Sequence, residues 1–145
     1  MLAAAQVVQA IADLLVAGAT PAGARVYTSR AWPIDVLPAW RVTAEDEEVQ
    51  QISIGEPPVN DHRLTVRMQG LCHADADLDD ALHAMAAAAC EAVFAESSVC
   101  AGKAGIGLAR LERRMQEDQQ ASVGEIAVDV SANFQTLANA PETLL

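Results

Sequence analysis

Asp75, Asp77 and Asp79 stand at alternate positions, like the opening of a calcium-binding loop. Such a loop needs glycine at its sixth position for the sharp turn and a bidentate glutamate at its twelfth. The sequence has Asp80 and Ala86 there. The same acids suit the start of a helix, where Asp75 or Asp77 caps free N–H groups and Asp79 and Asp80 meet the positive end of the dipole. Cys72, His73, His83 and Cys90 are metal-ligand types, but their gaps match no common zinc spacing. On a helix His83 and Cys90 are two turns apart, too far for one tetrahedral centre. Buried thiols and solvated histidines are expected instead. The glycine-rich AGKAGIG (101–107) puts Lys103 ahead of its later glycines, whereas a phosphate loop wants lysine after them. It also has Arg110 where a dinucleotide loop has its third glycine. No GxSxG occurs, and no pair of acids is singled out for proton transfer. No catalytic residue, metal or cofactor is expected.

What remains is the chemistry of surfaces. In LPAWRVTAEDEEVQ an apolar run (Leu37, Ala39, Trp40, Val42) meets four acids, Glu45, Asp46, Glu47 and Glu48. This reads as a strand leading into a charged tip, with residues 37–54 projecting as a hairpin. Arg113 and Arg114 form the one paired basic patch, and neighbours in a strand point to opposite faces. The pair suits either solvent or the acids of a neighbouring molecule. Trp32, beside Pro33, sits in a loop, either tucked beneath it or anchoring a partner. Trp40 is expected in the core.

The elements that would carry these residues follow from periodicity. Ala4, Val7, Val8, Ile11, Leu14 and Leu15 share one face of a helix over 3–17, which Gly18 ends. Short strands are expected at 25–29 and 37–43, and a half-exposed one at 49–55. HRLTVRMQGL (62–71) alternates cleanly and gives the surest strand. A second helix runs from the aspartates to residue 95, with Leu78, Leu82, Met85, Ala89 and Val93 on one face. A loop (97–107) precedes strands over 108–117 and 123–135, joined by DQQAS. Residues 138–145 read as a loose tail. The fold class is α+β: a mixed, mainly antiparallel sheet with two helices packed on one face, in a single domain spanning 1–145.

Composition sets further bounds. The chain has 145 residues, 52% of them hydrophobic but only 3% aromatic, so the core is built from Ala, Val, Leu and Ile. Small side chains bury less area each, so a modestly stable monomer that gains from its neighbours is expected. A net charge of -11 disfavours phosphate capture and anionic membranes. Three cysteines without CxxC suit a reducing compartment. The opening helix has no basic flank and is interrupted by Gln6 and Asp13, so neither a signal peptide nor a membrane span is expected.

TSRAWPIDVLPAWRVTAEDEE, RLTVRMQGLCHADADLDDALHAM and EIAVDVSANFQT occur in an order that resembles the tail terminator (minor tail protein U) family of long-tailed phages. The likeness runs over residues 3–135. It rests on the order and spacing of an "LPA" strand, an alternating strand and a "D-L-D-x-L" helix start. The resemblance implies a non-enzymatic virion protein, assembled in the host cytoplasm. Members of the family form a six-membered ring on the head-proximal end of the tail tube. They stop tube polymerisation and present the surface that the head joins. Implied partners are further copies of the chain, the tail tube protein and a neck or head-completion protein. DNA passes through without specific binding, and no membrane is involved. Interface candidates are Trp32, Glu45, Asp46, Glu47, Glu48, Arg113 and Arg114. The acids face either the ring lumen or a flat ring face. Other readings stay open: another neck or head-closure protein, a small ligand-binding or enzymatic domain, or a tube subunit. Short hairpin strands count against the last.

Overall fold

The computed structural model describes residues 1–31, 34–73, 77–116 and 123–145. Helix α1 (Ala3–Ala17) is followed by strands β1 (Val26–Tyr27), β2 (Ala39–Gln51) and β3 (Val59–His73). Helix α2 (Leu78–Val93) and strands β4 (Ser98–Val99), β5 (Ala104–Gln116), β6 (Val123–Leu137) and β7 (Ala140–Leu144) complete the order. The sheet runs β1-β2-β3-β6-β5-β4, with β7 also paired to β6. The β1–β2 pair is parallel and the others are antiparallel. The expected α+β fold, mixed and mainly antiparallel, is therefore found.

Alternation decides which face meets the helices. In β3, Leu64, Val66 and Met68 are buried. They lie opposite Ala132, Val130 and Val128 of β6, and the latter are buried too. Val7, Ile11 and Leu15 of α1 and Leu82, Met85 and Ala89 of α2 close the same core. Trp40 is fully buried, as its place in the strand implied. Its ring lies over Gly70, its partner on β3, where a Cβ would come within 2.9 Å of it. Glycine is needed there for space rather than for backbone freedom. Gly124 likewise makes room for Leu78, which seats the start of α2.

Several expected boundaries are corrected. β2 does not stop at Thr43; it runs through the acids to Gln51. Backbone pairing with β3 holds that half, so no apolar alternation marks it. β3 starts at Val59, inside the expected 56–61 turn. AGKAGIG is not a loop throughout, because β5 starts at Ala104 and pairs there with β4 and β6. The end of the chain is not loose. β7 pairs with β6, Leu144 is buried, and the Gln6 side-chain amide donates to the Glu142 carbonyl at 2.6 Å. The expected DQQAS turn and Asp75 lie outside the described residues, and Asp77 stands at the N-cap position of α2. Of the strands expected to be short, β1 has 2 residues but β2 has 13, and β3, β5 and β6 have 15, 13 and 15.

Candidate assembly surfaces

The acidic run is not a tip. Glu45 is the extra residue of a bulge between Ala44 and Asp46, which shifts the phase of β2. Asp46 and Glu48 then lie opposite Thr65 and Arg63, on the face away from the helices. Glu47 lies opposite buried Leu64 and turns to the helix side. The hairpin tip is instead ISIGEPP (52–58), uncharged apart from Glu56, with Ile54 99% exposed.

Glu45 and Glu47 each have a partner. Glu45 accepts from Arg30 at 2.9 Å and from the Thr43 hydroxyl at 3.1 Å. Arg30 also donates to the Ala44 carbonyl at 3.0 Å, so it covers the edge of β2 at the bulge. Glu47 Oε1 lies 2.8 Å from His62 Nδ1, and His62 Nε2 lies 2.8 Å from Thr136 Oγ1. A carboxylate only accepts, so Nδ1 carries a proton. The imidazole stacks on Phe134, with centroids 4.8 Å apart, and is buried. This links β2, β3 and β6 through one polar chain.

A second polar system crosses the helix-distal face. Arg67 meets Asp129 through two bonds of 2.9 and 3.3 Å. That paired bond is the main reason the guanidinium holds its proton more tightly than usual. Next to it on β5, Glu112 lies 2.9 Å from Arg114 and 3.6 Å from Arg110. The Arg114 bond holds its carboxyl below the usual glutamate range. Asp129 and Glu125 of β6 are buried on this face, although it is turned away from the helices.

Arg113 and Arg114 project to opposite faces, as neighbours in a strand must. Arg114 lies on the distal face, in line with Glu125, and Arg113 on the helix side, in line with Ile126. Both are exposed. The structure therefore separates the two arginines, and it splits the four acids between two faces. Trp32 lies outside the described residues. The sequence reading missed His62, Arg67, Glu112 and Asp129. Each stands on a strand beside an opposite charge or a polar group, and only the cross-strand register reveals that.

Among the described residues, no three His, Cys, Asp or Glu side chains are grouped to hold a metal. Cys72 is buried on the helix side of β3, and its neighbour His73 is exposed. Burial pushes the thiols of Cys90 and Cys100 up, away from the reactive thiolate. Among the described residues, no helix is long and apolar enough to cross a membrane.

No family model and no curated protein matches the sequence. Among solved structures the fold is similar to a chain from the "Virion of native gene transfer agent (GTA) particle". The TM-score is 0.57 at 20% identity, over 92% of this chain and 98% of that one.

Proposed function

We propose that the protein is a structural component of a phage-like virion, acting as a ring on the head-proximal end of a tail tube. There it stops tube growth and offers the head-joining surface. The observation that carries the virion role is the fold shared, almost end to end, with a chain of a gene transfer agent particle. The sequence resemblance to tail terminators supplies the finer placement. The polar, ion-paired sheet face suits a protein that works by contact. On this reading the distal face, with Arg67 and Asp129 neutralising each other, gives DNA no basic track to bind.

A second reading, a tail tube subunit, is favoured by one observation: the strands of the β2–β3 and β5–β6 pairs are long. Deleting the coding sequence and imaging the particles separates the two. A terminator leaves tubes of uncontrolled length without heads, a tube subunit leaves no tubes, and normal joined tails contradict both.

A further inference from the structure

The two flanks of the sheet are long strands with mostly unpaired edges. β1 pairs with β2 only at Trp40 and Arg41, and Arg30 covers the carbonyl of Ala44. From Asp46 to Gln51 nothing among the described residues pairs with the outer edge of β2. On the other flank, β4 pairs with β5 only at Ala104 and Gly105. Beyond the bond from Ile106 to Ser97, the outer edge of β5 is likewise open among the described residues. Open edges of this length invite pairing with another chain.

The two edges are unlike each other in charge. The β2 edge carries Asp46, Glu47 and Glu48, and the β5 edge carries Arg110, Arg113 and Arg114. Like edges would set acids against acids or arginines against arginines. Unlike edges attract. Their apolar positions match as well. On the helix side of β5, Leu108 and Leu111 are 50% and 40% exposed, and on the helix side of β2, Val49 is 54% exposed. Beside the β2 edge runs a cleft lined by Leu2, by Ala5 and Val8 of α1 and by Arg30, Thr43 and Glu47, which leaves room for side chains of an incoming strand.

Direction fits too. β2, β3, β6 and β5 alternate in direction across the sheet. Four alternating strands leave β5 antiparallel to the β2 of a copy related by rotation about an axis along the strands. A head-to-tail contact of this kind forms a ring where the rotation closes and an open filament where it does not.

We infer that β5 of one copy adds to β2 of the next as an antiparallel pair. This deepens the ring reading above and rests on it. The pleat fixes which faces match, because a one-residue slip would turn Leu111 to the polar face. Of the registers left, the one that sets Leu111 against Val49 also sets Arg113 against Glu47 and Arg114 against Asp46. Glu112 then falls opposite Glu48, and Arg110 and Arg114 already flank it.

The test is a Val49→Cys and Leu111→Cys double variant of the full chain, oxidised with diamide. Both positions are solvent-exposed, so the fold should be kept. The single variants serve as controls for Cys72, Cys90 and Cys100. Native mass of the unmodified protein, and hydrogen exchange at 46–51 and 107–113, complete the experiment. Disulfide-linked multimers from the double variant alone, with exchange slowed in both segments on assembly, are expected. An assembled protein without those cross-links and without that protection overturns the edge pairing and leaves the ring reading intact. A protein that stays monomeric up to its solubility limit, with no cross-links, overturns both.

Discussion

Glu47 reaches the helix side of the sheet because one extra residue, Glu45, shifts the phase of β2. The consequence is a buried imidazole with a partner on each ring nitrogen. Glu47→Ala leaves the Nδ1 donor of His62 facing a partly closed pocket. It should lower stability by about 1–3 kcal/mol, the usual cost of an orphaned buried polar group. Urea unfolding followed by tryptophan fluorescence measures it. Glu112 gives a pH signature. Its folded value is depressed, so its contribution is full above the ordinary glutamate value of 4.5 and is lost as pH falls through the lower folded value. Carboxyl NMR titration should place its midpoint below 4.5, and Arg114→Ala should move it back up. None of these pairings was legible beforehand. A sequence reveals that acids and arginines exist, but a bulge and a register decide which of them meet.

At the scale of elements, the helices and the middle of the sheet were legible because burial imposes periodicity there. The spacing of Val7, Val8, Ile11 and Leu15 gave α1, and Leu64, Val66 and Met68 gave β3. The stretch of β2 through the acids, which joins the expected strands at 37–43 and 49–55, was not legible, because its residues are exposed and follow no apolar pattern. β7 was missed for a related reason: one buried side chain, Leu144, ties it down. Leu144→Ala should therefore destabilise the chain by about 2–4 kcal/mol, in the range for a buried leucine truncation. Calorimetry checks this, and faster hydrogen exchange at the start of α1 should accompany it, since Gln6 bonds to β7. Gly70→Ala should cost about 1–3 kcal/mol by forcing the Trp40 ring to move. Trp40 fluorescence reports on the same change.

For the whole molecule, the expected acidic hairpin tip gives way to a different division of labour. Charge lines the two open edges of the sheet, and the tip carries only Glu56, with Ile54 exposed. The net charge of -11 read from the composition favours solubility; on the proposed edge pairing its distribution, which composition hides, sets how copies meet. Small aliphatic side chains fill a core shared by one sheet face and two helices, leaving the distal face polar. On the proposed reading the protein does its work by shape and contact. Immunogold labelling of purified particles tests that account most directly. It predicts a single focus of label where the tail meets the head. Label spread along the whole tail, or particles that lack the protein, would contradict it.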